Sequence, residues 1–493
     1  MKETILNLLT HKKRFLTVTI TLTVLAHLFF LDMPPRSHHV WRQCNTLAVA
    51  RNFYEEDMNI LRPRVDRRQD TDGVTGMQFP SYEYILALQY KVFGEYNIIH
   101  RLTSLLIFIL GLWGMYNLTE LLFNNRLYAA IATWTLCWSP LMFYHSINAL
   151  PDVLALSASI WGLYGYVKWQ RDKRVTNLLI SLFGLTLAGL TKLQFLAVGF
   201  PIAIWVFQSI KKKEYSTKNY IQLGILGIVS VSIPVAWYIY ANHLIDISGL
   251  HDFVISFRPV DNLADGLSIM KRNIIQDFPE FILNYAGFIL LLLGLYALVK
   301  YKLYKHTLFP AITIWALGLI AYHIIELHQM QHHQYYMMVY LPMLVLMVAA
   351  GAGYLLKKNQ TVILIILLIA QPFLAAVRVI PARWMNEDKA VPVEFQNAEM
   401  LKELQNAVPD DALIMAGPDA SGCIYFYFLH KKGFGIEKPE LLDEQPTYIA
   451  NCTKKGAKYL YTNNTYIKQL VTDEGLGTEM KQVGEFTIFK LGK

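Results

Sequence analysis

The chain has 493 residues, 54% of them hydrophobic and 17% charged, with a mean hydropathy of +0.30. That balance excludes a disordered chain and an ordinary soluble domain, and it places the protein in the membrane class. The formal net charge of +8 is no argument for nucleic acid, because much of the basic excess sits in short gaps between apolar runs.

A bilayer span takes about 20 apolar residues. Eleven runs are expected to span, near 13–32, 100–122, 127–147, 151–168, 176–191, 194–210, 220–241, 282–299, 307–326, 335–356 and 360–379. Every second gap is basic: His11 to Arg14, Arg126, Lys168 to Arg174, Lys211 to Lys213, Lys300 to Lys305, and Lys357-Lys358. Short basic loops stay cytoplasmic. The expected topology therefore has the N-terminus inside, and an odd span count places the tail outside. The first run is too long for a signal-peptide core and lacks a small-residue cleavage site before Pro34-Pro35, so it reads as a retained anchor.

Three segments on the outer face are long: 33–99, 242–281 and 385–493. In the first, 45–54 and 82–93 read as amphipathic helices along the membrane interface, separated by Gly73 and Gly76, with Pro80 opening the second and Gly94 closing it. The tail reads as a small α/β domain, with a helix over 394–407 and strands over 412–416, 458–462 and 486–491. The expected domains are thus a transmembrane region, 1–384, which includes the 33–99 loop, and an extracytoplasmic α/β domain, 385–493. Cys44, Cys137, Cys423 and Cys452 show no metal spacing, and a Cys423–Cys452 disulfide stays open beside two thiols.

Five outer-face clusters carry groups with chemical potential. His39, Trp41, Arg42 and Gln43 follow the first span and combine hydrogen-bonding groups with an aromatic face; an interfacial belt is the plain alternative. Arg62, Arg64 and Asp66 lie in the run Arg62-Pro63-Arg64-Val65-Asp66-Arg67-Arg68, where guanidinium groups suit phosphate and keep Asp66 ionised. Asp66 could equally be a simple ion-pair partner. Pro151-Asp152 opens the fourth span, which also describes an ordinary helix start. Lys192 sits in an outer turn, as an anion ligand or a snorkelling chain. His332, His333, Tyr335 and Tyr336 precede the tenth span; phosphate or sugar contact suits them better than metal, since no His-Glu-x-x-His spacing occurs. Arg101, at the outer end of the second span, joins them. No phosphate-binding Gly-rich loop or dinucleotide fingerprint appears, and the inner loops are too short to build a nucleotide-sugar site. An outward-facing site implies a donor delivered on a lipid.

In this order and on one face, His39-Val40-Trp41-Arg42-Gln43, Arg62-Pro63-Arg64-Val65-Asp66, Phe79-Pro80, Arg101, Leu150-Pro151-Asp152, Thr191-Lys192 and His333-Gln334-Tyr335-Tyr336 resemble the integral-membrane GT-C glycosyltransferases of the protein O-mannosyltransferase and aminoarabinose lipid A transferase group. The resemblance implies a polytopic α-helical GT-C fold with a small α/β tail, and inverting transfer of a sugar from a polyprenyl-phosphate donor to a lipid, glycan or protein acceptor. It implies a carboxylate base, with basic residues holding the leaving phosphate. The expected base is Asp66, Asp152 or His39. The expected donor-binding residues are Trp41, Arg42, Gln43, Arg62, Arg64, Arg101, Lys192, His333, Tyr335 and Tyr336. Family members begin the first loop with Asp-Glu, where this chain reads Ser37-His38-His39. Gln78 stands where the aminoarabinose enzymes carry a Glu, which removes a possible metal ligand and counts against a bound zinc; no cofactor is certain, and a divalent ion on His332 and His333 stays open. The other readings are a flippase for a lipid-linked sugar, against which the scarcity of mid-span charges counts, and an inactive scaffold of polysaccharide assembly. The expected location is a bacterial inner membrane, with membrane lipids around the spans.

Overall fold

The computed structural model describes residues 2–251, 253, 259–302, 308–386 and 388–492; Lys305 of the basic gaps lies outside them. The chain divides into two compact units. One comprises Met1–Asp32, His100–Trp237 and Ser256–Met385; the other comprises Met33–Ile99, Tyr238–Ile255 and Asn386–Lys493.

The first unit is helical, and among the described residues every apolar run expected to span is largely helix. Among the described residues, six helices are long and apolar enough to cross a membrane: Lys12–Phe30, Asn97–Phe123, Leu193–Lys212, Thr217–Ser248, Gln334–Lys357 and Thr361–Met385. A seventh is reached if Leu263–Ile282 and Asn284–Lys300, bent by 113° at their junction, form one span. The difference from eleven has local causes. The third run is split into Arg126–Cys137 and Pro140–His145. Ser139 caps the second piece, accepting from Met142 N at 3.3 Å, and Pro140 supplies its first turn. Val175–Thr191 and Phe309–Ile325 are apolar but only 17 residues long.

Helix Pro151–Asp172 has the length, yet Ser157, Ser159, Gly162 and Gly165 dilute its hydropathy. These small residues make its contact with Val175–Thr191. A Cβ on Gly165 would lie 2.6 Å from Ser181 N, and one on Gly184 would lie 2.6 Å from Ala158 O. Close backbone approach through small residues is how helices associate where lipid provides no hydrophobic drive between them. In Thr361–Val379, Pro372 cannot donate to Leu368 O; the Trp134 indole supplies the missing hydrogen bond at 2.8 Å.

The second unit is built on a five-stranded sheet ordered β2-β1-β3-β5-β4, with β1 Leu413–Ala416, β2 Lys432–Gly435, β3 Tyr459–Thr462, β4 Gly477–Val483 and β5 Phe486–Leu491. β1 runs parallel to β2 and β3, whereas β5 is antiparallel to β3 and β4. Met415, Phe434, Leu460, Ile467 and Phe489 form its core. The helix expected over 394–407 is two, Val393–Gln396 and Ala398–Gln405. Asn397 caps the second by accepting from Glu399 N and Met400 N, which ends the first.

The loop expected near 45–54 begins its helix earlier, at Val40–Glu55, with His39 at the N-cap in the left-handed region (φ +60°). Thirteen of its 16 residues are buried, so its apolar side meets protein. Ser81–Phe93 instead keeps Ile85, Leu88, Val92 and Phe93 exposed, the face an interfacial helix requires. Between them residues 63–75 fold back as a short hairpin. Val65 N donates to Gly73 O and Thr75 N to Pro63 O, both at 3.0 Å. Gly73 (φ +78°) turns it, and a Cβ there would lie 2.7 Å from Val65 O. Val49, Phe53, Val65, Met77, Ala87, Leu250 and Phe253 pack together beneath it. The hairpin also joins the sheet edge: Gln69 N donates to Gly433 O at 2.9 Å and Gly433 N to Asp66 O at 3.1 Å.

Candidate functional site

In the first unit the 3-10 segment Gln334–Tyr340 is the meeting point. Helix Pro151–Asp172, the segment Leu193–Val198 and helix Pro140–His145 all pack against it. The Lys192 ammonium stands 5.4 Å from the Tyr336 ring, and the His333 imidazole lies 5.6 and 5.9 Å from the rings of Tyr335 and Tyr336. Asp152 is wholly buried in the first turn of its helix, where the dipole favours a carboxylate. The Tyr322 hydroxyl donates to Tyr336 O at 3.4 Å.

Arg101, also buried, donates to Asn148 Oδ1 at 2.8 Å and Ile147 O at 3.2 Å, while Ser104 Oγ donates to Asn148 O at 2.7 Å. These bonds hold the turn that leads into Pro151 and so set where Asp152 starts. Lys192 and His333 therefore stand against Tyr336, with Tyr335 and Tyr336 on the segment itself, and helix Pro151–Asp172, which opens at Asp152 on the turn that Arg101 braces, packs against it. Chemically the group combines cations for a phosphate, aromatic faces for a ring, and a proton acceptor.

In the second unit the expected residues fall in two places. His39, Trp41, Arg42 and Gln43 form the start of helix Val40–Glu55. Arg42 lies 5.0 Å from the Phe253 ring, and the fully buried Gln43 donates to Arg36 O at 3.1 Å. Both contacts fix the loop's entry. Arg62, Arg64 and Asp66 lie on the hairpin. Arg62 pairs with Asp72 at 3.2 Å, on the surface; Arg64 pairs with Asp57 at 3.3 Å and Glu56 at 3.7 Å. The Asp66 carboxylate is buried and accepts from Asn52 Nδ2 at 2.8 Å.

Ion pairs tie this hairpin region to the sheet. Arg68 donates to Glu56 at 2.8 Å, and Lys432 also bonds Glu56; His430 bonds Glu55 at 2.8 Å. Burial works to raise both carboxyls, but the bonds and charges of Arg68 and Lys432 on Glu56, and of His430 with Arg51 and Lys432 on Glu55, hold them below the ordinary carboxylate range. Burial lifts the Cys452 thiol to about 11, and Cys423 and Cys452 are not bonded to each other.

Sequence reasoning missed His145 and Tyr322. The His145 ring lies 6.1 Å from Tyr335. Its signal was a buried imidazole six residues ahead of Pro151, inside a run read as an ordinary span. For metal, the His332 and His333 rings are 6.4 Å apart. Among the described residues no group of three or more His, Cys, Asp or Glu is placed to hold an ion.

Residues 78–238 match the family model described as dolichyl-phosphate-mannose-protein mannosyltransferase. Several solved structures share the fold. ArnT from Cupriavidus metallidurans in the apo state is similar over 96% of this chain and 97% of its own, at 10% identity and a TM-score of 0.62. The same protein bound to undecaprenyl phosphate gives 11% identity and the same coverage and score. The Archaeoglobus fulgidus oligosaccharyltransferase AglB, in complex with an inhibitory peptide and a dolichol-phosphate, is similar over 91% of this chain and 69% of its own, at 10% identity and a TM-score of 0.59. No curated protein matches the sequence. The chain is thus an integral membrane protein with an ArnT-like GT-C fold and a small C-terminal sheet domain. Fold and family match together class it as a membrane glycosyltransferase of the GT-C type.

Proposed function

We propose that the chain transfers a sugar, with inversion, from a polyprenyl-phosphate carrier to a lipid, glycan or protein acceptor on the extracytoplasmic face of a bacterial inner membrane. One observation carries the reading: Lys192 and His333 stand against Tyr336 on a short segment that helix Pro151–Asp172 packs against, in a fold whose solved examples include proteins bound to undecaprenyl phosphate and dolichol-phosphate. Lys192 and His333 hold the leaving phosphate. Its negative charge grows as the glycosidic bond breaks, so fixed cations contribute most there. Tyr335 and Tyr336 present ring faces to the sugar. A carboxylate takes the acceptor hydroxyl's proton as its oxygen attacks the anomeric carbon from the opposite side.

Asp152 is the first choice for that base, because it is buried in the first turn of a helix that packs against the segment; Asp66 is the second, and His39 remains the one non-acid candidate. Arg62, Arg64, Trp41, Arg42 and Gln43 serve the donor less directly, since the contacts above already engage Arg62, Arg64, Arg42 and Gln43. The proposed domains are 1–384 for transfer and 385–493 for the outer α/β domain, the latter from Asn386 on forming one compact unit with Met33–Ile99 and Tyr238–Ile255. The test is Asp152→Asn against Asp66→Asn in membranes, scored for transfer and for binding of undecaprenyl phosphate. Loss of the true base lowers turnover by about 10²–10⁴-fold and leaves phosphate binding intact. Normal transfer in both variants removes the carboxylate mechanism.

A further inference from the structure

We infer a second lipid site at the other end of the helical unit, one that takes an anionic phospholipid rather than the sugar carrier. A cavity of about 330 Å³ lies there, within the range of small-ligand pockets. Its wall is apolar, with Leu298, Ile312, Leu346 and Met347 among its lining; Tyr301 and Lys357 also line it. Lys357 is exposed, and its ammonium lies 3.6 Å from the Tyr301 ring centroid, so a fixed cation borders an oily hollow.

The cavity is remote from the cluster around Tyr336. Phe123, another lining residue, ends the helix that carries Arg101 near its start, and at 1.5 Å per residue the two are about 33 Å apart. Lys357 ends helix Leu341–Lys357, which begins just after Tyr340, so Lys357 is about 24 Å from Leu341 along the axis. Those distances approach the hydrocarbon thickness of a bilayer, about 30 Å. The cavity therefore opens toward the opposite leaflet from the candidate site.

Charge decides the occupant. Lys358 and Lys300 stand next to the lining residues Lys357 and Tyr301, while Arg126, two residues from Tyr128, is paired with Glu120 at 3.0 Å. Basic pockets between membrane helices bind anionic headgroups, whereas a zwitterionic lipid gains little from them. An acyl chain fills the hollow, and its phosphodiester lies beside Lys357.

The experiment uses the full chain, purified in detergent, stripped of lipid and then mixed with phosphatidylglycerol or phosphatidylcholine, with retained lipid counted by native mass spectrometry. Wild type is expected to retain phosphatidylglycerol in preference. Lys357→Gln, a surface change that leaves packing intact, is expected to lower its retention about fivefold. Ala350→Phe, which fills the cavity, is expected to abolish it while the protein still elutes as a single folded species. If Ala350→Phe does not fold, the Lys357→Gln comparison decides alone. Equal retention of the two lipids, or a Lys357→Gln variant that holds phosphatidylglycerol as wild type does, overturns the inference. So does displacement of phosphatidylglycerol by undecaprenyl phosphate, which would make the cavity part of the carrier's path.

Discussion

In the proposed mechanism, Lys192 is the residue on which donor binding turns most sharply. It follows the last turn of helix Val175–Thr191 in extended conformation, so its ammonium is held off the helix and near the Tyr336 ring rather than back along its own backbone. A charge-assisted contact to phosphate is worth about 1.5–3 kcal/mol. Lys192→Gln should therefore weaken undecaprenyl phosphate binding by about ten- to a hundredfold, measured by titration of the purified protein; unchanged affinity would place the phosphate elsewhere. Arg101 makes a different kind of contribution. Replacing it with Leu strips hydrogen bonds from Ile147 O and Asn148, at a cost of about 1–3 kcal/mol for each buried group left unsatisfied. Activity should then fall through a displaced Asp152.

At the same scale, Glu55 and Glu56 set a pH dependence. Both carboxyls titrate below their ordinary value when folded. Their stabilising effect is complete above the unfolded value of about 4.3 and is lost as pH falls through the lower folded values. The protection of β2 amides from hydrogen exchange, taken relative to the intrinsic rate at each pH, should be flat from pH 7 to about 5 and then fall below about 4.3. A loss of protection between pH 8 and 6 instead would point to a histidine.

Among elements, the pairing of Pro151–Asp172 with Val175–Thr191 supports the start of the former, where Asp152 lies. Gly165→Leu forces a side chain where a Cβ alone already meets Ser181 N at 2.6 Å. Overpacking of this kind costs about 1–3 kcal/mol, and a melting point several degrees lower, read by intrinsic fluorescence, checks it. These elements also show what the sequence could tell. Helix Pro151–Asp172 was visible as an apolar run opened by Pro151, but its Ser and Gly face, the mark of an interior helix, was invisible to hydropathy. The break at Ser139-Pro140 carried a capping residue and a first-turn proline, yet it was overridden by the apolar run around it. β2 escaped notice because Lys432-Gly433-Phe434-Gly435 has low strand propensity; only the hairpin and β1 on either side make it a strand. β4 is mostly exposed and polar, so it lacked the alternation that marks β5.

For the whole molecule, the alternating basic gaps gave the membrane class and the order of the helices, and the resemblance of scattered motifs pointed to the GT-C fold. Span count was less legible: where helices bury one another, short and polar-flecked segments complete the bundle. The candidate residues were picked by type and sidedness. What residue types could not tell was which are already occupied. Arg62, Arg64, Lys192 and His333 all look like phosphate ligands in the sequence, but carboxylates pair with the two arginines, whereas Lys192 and His333 stand beside Tyr336. The proposed orientation is checked by single cysteines at Lys212 and Lys468 in a variant without the native four. An impermeant thiol reagent added to intact cells should label position 468 and spare 212; the reverse would invert the topology.

The most direct measurement is a cryo-electron microscopy structure of the full chain with undecaprenyl phosphate. The phosphate should lie within about 4 Å of the Lys192 ammonium, beside His333 and Tyr336. A phosphate seated on Arg62 and Arg64, or in the cavity beside Lys357, with the Lys192 cluster empty, would contradict the account.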